Sequence, residues 1–125
     1  MSKPCIFCDK TKVAESIMQN DLCFVLFDKY PVSRGHALII PFRHVSDFFG
    51  ATQEEKLAIL DLIDKLKMKF DTEFQPDGYN IGINCGEASG QTVMHLHVHL
   101  IPRYTGDVKD PRGGVRGVIP GKQKY

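Results

Sequence analysis

Three histidines at alternate positions form the most distinctive chemical feature of the chain. His95, His97 and His99 are separated by single apolar residues within residues 94–103. Alternate residues of a β-strand project from one face, whereas neighbours on a helix surface are three or four residues apart. We therefore predict a strand over residues 94–103 that presents three imidazoles on one face.

Strand geometry requires these histidines to have different roles. Alternate residues advance roughly 6.5 to 7 Å, so the outer two histidines lie about 13 Å apart. Metal–ligand bonds are about 2 Å long, and one ion cannot bind all three imidazoles. An imidazole can also attack phosphorus and form a covalent phosphoramidate. We expect a histidine nucleophile, with His99, Gln91, Thr92 and loop amides as donors to the transition-state charge.

Cys5 and Cys8 form a CxxC pair whose spacing suits two corners of a tetrahedral zinc site. The alternative is a thioredoxin-like redox motif, which would need a stronger helical pattern after the pair. The other two cysteines are isolated in the sequence. Histidines are therefore the expected source of two more ligands, most simply His44 and one end of the histidine triplet.

The surrounding elements follow from residue patterns. Residues 22–27 and 37–40 are predicted strands, antiparallel because their connection is too short for a crossover helix, and residues 79–83 form a third. Thr52 begins a capping box, which predicts a helix over about residues 53–74. The apolar stripe expected to lie across the sheet consists of Leu57, Leu60, Ile63, Leu66 and Phe70.

Composition limits the class of protein. The 125 residues fit one globular domain, and 16 Lys plus Arg against 15 Asp plus Glu give a net charge of +1, without the basic excess of a general nucleic-acid binder. The N-terminal residues lack the apolar core of a signal peptide, and no apolar run is long enough to cross a bilayer. We expect a cytoplasmic protein that binds neither nucleic acid nor membrane. Residues after 106 are rich in Gly and Pro and are predicted to form an irregular tail.

Residues 95–101 have the pattern His-apolar-His-apolar-His-apolar-apolar and resemble the histidine triad (HIT) superfamily. The resemblance extends through residues 35–41, the helix and residues 89–93. It implies a single α+β domain over residues 1–125, with a core of about 5–106 and a tail of 107–125. The implied fold is an antiparallel five-stranded sheet with one long helix and a short N-terminal helix, assembled as a two-fold homodimer.

The resemblance also implies roles for individual residues. His97 would be the nucleophile, His99 would bind and orient the phosphate, and His36 would support them, with Gln91 and Thr92 completing the catalytic set. The implied nucleotide-binding positions are Asp28 at the ribose, Ile6, Phe7 and Leu26 around the base, and Asn84, Gln91, Thr92, His97 and His99 around the phosphates. Cys5, Cys8, His44 and His95 resemble the zinc ligands of one branch of the superfamily, a closed and therefore structural site.

Two substrate classes remain open within this resemblance, and adenosine is the base that it implies. Residues 102–107 are similar to those of diadenosine polyphosphate hydrolases, which favours hydrolysis of dinucleoside polyphosphates such as diadenosine tetraphosphate. The first alternative is an adenosine 5'-monophosphoramidase, which would use the same nucleotidyl-histidine. The second is a nucleotide-binding or interaction module without turnover.

Overall fold

A computed structural model describes residues 5–125. Its centre is one antiparallel sheet of five strands in the order β1-β2-β3-β5-β4. The strands are β1 (Met18–Gln19), β2 (Cys23–Phe27), β3 (Ala37–Pro41), β4 (Gly78–Ile83) and β5 (Val98–Arg103). The five-stranded antiparallel sheet implied by the resemblance is confirmed.

Strands β2 and β3 form an antiparallel hairpin in the middle of the sheet. Every residue of β2 pairs with one of β3, from Cys23 with Pro41 to Phe27 with Ala37, so the predicted antiparallel pair is confirmed. The second strand was predicted over residues 37–40 and extends one residue further, to Pro41. The short β1 was not predicted, because two residues are too few to show an alternating pattern.

The long helix α2 (Gln53–Glu73) covers one face of the sheet, and its capping box is present. Thr52 Oγ1 accepts the Glu55 N–H at 3.0 Å, and a Glu55 carboxylate oxygen accepts the Thr52 N–H at 2.9 Å. These contacts satisfy two of the four N–H groups that a helix N-terminus leaves unpaired. The predicted start of the helix is confirmed.

The predicted apolar stripe of this helix is wrong at Leu57 and Leu60, which are exposed. Three steps of three residues rotate by about 900°, so Leu57 lies on the opposite side of the helix from Leu66. The buried positions have spacings closer to 3.6 residues. They are Glu55, Ile59, Leu62, Leu66 and Phe70.

The N-terminal segment packs on the other face of the sheet. A 3₁₀ turn (Ile6–Cys8) and the short helix α1 (Lys10–Ala14) precede β1, so the implied short N-terminal helix is confirmed. Phe7 belongs to a second apolar cluster with Phe24, Leu26, Leu38 and Ile40. The N-terminal CxxC pair is thereby brought to the sheet face opposite α2.

The histidine segment departs from its predicted structure. Strand β5 begins at Val98, so His95 and His97 precede it. The Leu96 N–H bonds to the Val45 carbonyl in a loop at 2.7 Å rather than joining a strand ladder. Regular pairing therefore begins only beyond His97.

The tail is more ordered than predicted. It contains a 3₁₀ helix (Gly114–Val118). Two other 3₁₀ helices lie earlier in the chain, at Phe48–Gly50 and Glu87–Ser89. Among the helices of residues 5–125, none combines the length and apolarity required to span a membrane.

Candidate functional site

Four side chains from three parts of the chain converge on one point. Cys5 precedes the N-terminal 3₁₀ turn and Cys8 is its last residue, while His44 follows β3 and His95 precedes β5. The ligand atoms of all four lie within 4.8 Å of one another. The sequence expectation that histidines join the CxxC pair agrees with this placement.

The distances within the cluster suit a tetrahedral metal ion. Cys5 Sγ lies 3.3 Å from His95 Nδ1, and Cys8 Sγ lies 3.2 Å from His44 Nδ1 and 3.5 Å from His95 Nδ1. Zinc bonds of about 2.3 Å to sulfur and 2.0–2.1 Å to nitrogen at tetrahedral angles place S and N roughly 3.5 Å apart. The four residues could therefore hold a metal ion.

Hydrogen bonds orient His95 for this role. Its Nε2 lies 2.8 Å from the Pro41 carbonyl oxygen, so Nε2 carries the proton and the Nδ1 lone pair points toward the thiols. The side chain is completely buried, and burial lowers the pKa of His95. A neutral imidazole is the form that ligates a metal.

The segment carrying His44 is anchored to the start of α2. Arg43 donates two hydrogen bonds to the Glu55 carboxylate, at 2.7 and 3.1 Å, and Glu55 is buried. The guanidinium contact is the main cause of a lowered pKa of Glu55. Sequence reasoning missed this anchor, although Arg43 adjoins His44 and Glu55 belongs to the recognised capping box.

A second cluster lies beside the first. His36 Nε2 is 2.9 Å from His99 Nδ1 and 3.4 Å from a carboxylate oxygen of Asp28. Asp28 directly follows β2, His36 directly precedes β3, and His99 lies on β5. The hairpin and its neighbouring strand therefore bring these three residues together.

Backbone contacts define which nitrogens carry protons. The Val32 N–H donates to His36 Nδ1 at 3.1 Å, so Nε2–H of neutral His36 faces the acceptor Nδ1 of His99. The remaining nitrogen of His99, Nε2, then carries the proton that can be donated to a ligand. Val32 was not recognised from the sequence, because a backbone donor leaves no residue-type signal.

His97 carries its proton on the other ring nitrogen from His99. Its Nδ1 lies 2.8 Å from the carbonyl oxygen of His95 and donates its proton there. The Nε2 lone pair is thereby left available as a nucleophile. The Phe7 ring packs against the imidazole, with ring centroids 5.2 Å apart.

Burial keeps the supporting histidines neutral. The pKa of His99 is lowered to about 4, first by burial and then by the charges of His97 and His36, with Asp28 opposing the shift. Burial also lowers the pKa of His36, again opposed by Asp28. At neutral pH these two side chains therefore act as hydrogen-bonding imidazoles.

The remaining predicted nucleotide-binding residues differ in accessibility. Phe7 and Leu26 are buried in the same apolar cluster, whereas Ile6 is half exposed. Asn84 is partly buried just beyond β4, and the Thr92 side chain is exposed. Apart from Phe7 and the histidines, none of these residues has a side-chain contact with His97 among the described hydrogen bonds and ring contacts.

Gln91 is held by protein groups on all sides. Its Oε1 accepts the Gly86 N–H at 2.8 Å, and its Nε2 donates to the Ser46 and Val93 carbonyls at 2.6 and 3.1 Å. The side chain is buried, and both amide hydrogens are used. This geometry fits a residue that shapes the loop before the histidines.

The comparisons with known proteins identify the family. A model of the HIT domain matches residues 10–106, and the chain belongs to the HIT domain family. An uncharacterized HIT-like protein of Mycoplasma genitalium is 35% identical over 103 residues, covering 80% of this chain and 73% of the relative.

Two relatives have names that state an activity. AP-4-A phosphorylase of Mycobacterium tuberculosis is 32% identical over 92 residues, covering 73% of this chain but 47% of that protein. Adenylylsulfatase HINT3 of Arabidopsis thaliana is 30% identical over 111 residues, covering 86% of this chain and 56% of the relative. This chain therefore spans about half the length of each of these two proteins.

Two solved structures share the fold. A HIT family protein from Bacillus anthracis has a TM-score of 0.77 at 35% identity, covering 86% of this chain and 78% of that one. A Zn-bound histidine triad family protein from Mycobacterium smegmatis has a TM-score of 0.75 at 30% identity, covering 85% and 79%.

Proposed function

We propose that this protein is a nucleotide hydrolase that cleaves dinucleoside polyphosphates, such as diadenosine tetraphosphate, through a covalent nucleotidyl-histidine. The observation that carries the proposal is the contact of His97 Nδ1 with the His95 carbonyl, since it leaves Nε2 free to attack phosphorus. The name of the mycobacterial relative supports the polyphosphate class over the phosphoramidate class.

The reaction has two displacements. His97 Nε2 attacks the phosphorus next to the nucleoside, the Nε2–P bond forms, and the P–O bond to the departing polyphosphate breaks with its electron pair left on oxygen. Water then attacks the same phosphorus and releases a proton to solvent as the O–P bond forms, and the Nε2–P electron pair returns to His97 as the nucleotide leaves. His99 Nε2–H is the donor that binds the phosphoryl oxygens, positioned by His36.

The other site residues bind the nucleoside in this proposal. The Asp28 carboxylate accepts hydrogen bonds from the ribose hydroxyls, and Ile6, Phe7 and Leu26 contact the adenine base. Asn84 and Thr92 are polar groups for the phosphates. The contact of the Phe7 ring with the His97 imidazole supports this arrangement, since Phe7 and Leu26 belong to one apolar cluster.

Zinc is the proposed occupant of the Cys5, Cys8, His44 and His95 cluster, and its role is structural. The soft donor set and tetrahedral distances favour zinc, and four protein ligands leave no open coordination position. When bound, the ion would link the N-terminal segment to the loop before β5.

We further propose a two-fold homodimer in the cytoplasm, built from one domain of about residues 5–106 with an attached tail of 107–125. The exposed Leu57, Leu60 and Met68 of α2 and Ile81 of the edge strand β4 supply apolar surface for self-association. The four cysteines are free thiols, which suits a reducing compartment. Sedimentation at several protein concentrations tests the assembly.

Trapping the intermediate tests the activity. Brief reaction with labelled diadenosine tetraphosphate should place one labelled adenylate on His97, and His97→Ala should lose the label and at least about a thousandfold in kcat. Full activity of a folded His97→Ala protein would rule out the nucleophile. A much higher kcat/KM for adenosine phosphoramidate would assign the first alternative activity.

A further inference from the structure

The tail, residues 107–125, folds into an ordered structure over the sheet. A Cβ at Gly113, whose φ is +88°, would overlap the Gln123 carbonyl oxygen. Gln123 Nε2 donates to the Arg112 carbonyl at 3.3 Å, and the Arg116 guanidinium lies over the Tyr125 ring. These contacts fold residues 112–125 back on themselves.

Arg103 connects this tail to the end of β5. It donates to both Asp107 carboxylate oxygens, at 2.7 and 2.9 Å, and to Asn80 Oδ1 on β4 at 2.7 Å. The guanidinium holds the pKa of Asp107 far below its usual range. The tail therefore leaves the sheet in a fixed direction.

Between tail and sheet lies a cavity of about 810 Å³. Its lining includes Ile101 and Asn80 from the sheet, Val32 from the β2–β3 connection, and Lys109 and Lys124 from the tail. This volume is within the 300–1,000 Å³ typical of small-molecule sites.

The cavity adjoins the catalytic histidines at two points. Ile101 is the next residue after His99 on the same face of β5, about 7 Å along the strand. The Val32 N–H is the donor that orients His36. Gly82 pairs with His99 across the sheet, and a Cβ there would contact nothing within 4 Å, so the surface beside His99 is open at that position.

The charged residues of the lining are Arg103, Lys109 and Lys124 against Asp107 and Asp110, which leaves one net positive charge. Arg103 pairs with Asp107 and Lys124 lies 3.5 Å from Asp110, whereas Lys109 forms no ion pair within residues 5–125. Both lysines lie beyond residue 106, where the HIT domain match ends.

We propose that this cavity is a second subsite, which binds the leaving group of the substrate as a polyphosphate carrying a nucleoside. The inference rests on the proposed function and specifies its substrate class. A nucleotide bound to His97 would extend its phosphate chain past His99 to Lys109 and Lys124, and the cavity would receive the second nucleoside. A phosphoramidate has no group to place there.

Kinetics with two substrates test the subsite. Lys109→Ala and Lys124→Ala should each raise KM for diadenosine tetraphosphate about fivefold and leave kcat/KM for adenosine phosphoramidate unchanged. Val108→Trp, which fills the cavity from its lining, should act similarly. Lys122→Ala is the matched control, because it removes the same charge from the tail outside the cavity and should change neither substrate.

Equal losses on both substrates, or an equal loss in Lys122→Ala, would overturn the subsite. Failure of the proposed function is distinguishable, because binding of inorganic tripolyphosphate can be measured by calorimetry without turnover. If neither substrate is hydrolysed, weaker tripolyphosphate binding in Lys109→Ala than in Lys122→Ala supports the subsite alone. Identical binding in these two variants refutes it.

Discussion

The carbonyl oxygen of His95 lies 2.8 Å from Nδ1 of His97, so the residue whose imidazole faces the thiols also orients the proposed nucleophile. One residue thereby joins the two clusters. Phe7 makes a second connection, since it lies between Cys5 and Cys8 in the chain and its ring contacts His97. The candidate metal site and the proposed catalytic histidines should therefore not behave independently.

Loss of the thiol ligands should affect both clusters. Cys5→Ser combined with Cys8→Ser is expected to reduce bound zinc from one ion per chain to almost none. The lost binding free energy is about 4 kcal/mol at a free metal concentration a thousandfold above Kd, with a matching fall in Tm. A decrease in kcat of about tenfold or more should accompany it, because His97 loses its fixed support.

Cys85→Ser provides the control, since this thiol lies outside the cluster. Metal analysis, calorimetry and activity should match the unaltered protein. Unchanged zinc content in the double variant would show that the ion binds elsewhere.

The sequence predicted the long elements because their patterns are locally redundant. The capping box of α2 and the apolar runs of β2 and β3 each repeat one signal over several residues. The stripe of α2 was wrong because repeated three-residue spacing drifts around a helix, and Leu57 therefore faces solvent. The spacing of apolar residues identifies the buried face of a helix only when its average stays near 3.6 residues.

The site was predictable by residue type but not by geometry. Alternation of His95, His97 and His99 suggested a strand throughout, yet the first two occupy a loop whose hydrogen bonds come from distant segments. The Val32 amide and Pro41 carbonyl that define the histidine tautomers are backbone groups, and sequence patterns do not reveal them. The hydrogen bonds of the Gln91 amide likewise depend on where the fold places the Gly86 N–H and the Ser46 and Val93 carbonyls.

The Arg43–Glu55 pair should control metal affinity from outside the cluster. Arg43→Met keeps an unbranched side-chain stem but leaves the buried Glu55 carboxylate without its main donor, so the segment carrying His44 loses its anchor. Zinc affinity should fall about tenfold, measured by competition with a chelator. Lys69→Met, which breaks an exposed ion pair on the same helix, should leave zinc affinity unchanged.

Acid should destabilise the fold through His99. An unfolded histidine binds a proton below about pH 6.5, whereas folded His99 does so only below about pH 4. Between these values the unfolded chain holds more protons, so stability is lost as pH falls through this window, by at most about 3 kcal/mol.

Urea unfolding at pH 7.5 and pH 5 measures this effect. His99→Gln should show a smaller loss between the two values than the unaltered protein, because it removes the titrating group and retains the four candidate metal ligands. An identical loss in both proteins would assign the acid sensitivity to other groups, the metal ligands among them.

Gln91 and Thr92 are adjacent and should respond differently to substitution. Gln91→Ala leaves the Gly86 N–H and the Ser46 and Val93 carbonyls without their partner, and it should cost about 1–3 kcal/mol of unfolding free energy. Thr92→Ala alters an exposed side chain and should leave stability within about 0.5 kcal/mol while reducing kcat/KM. Denaturant titration and steady-state kinetics on both variants separate loop formation from phosphate binding. A Gln91→Ala protein of full stability with a large loss of kcat would instead place this amide on the substrate.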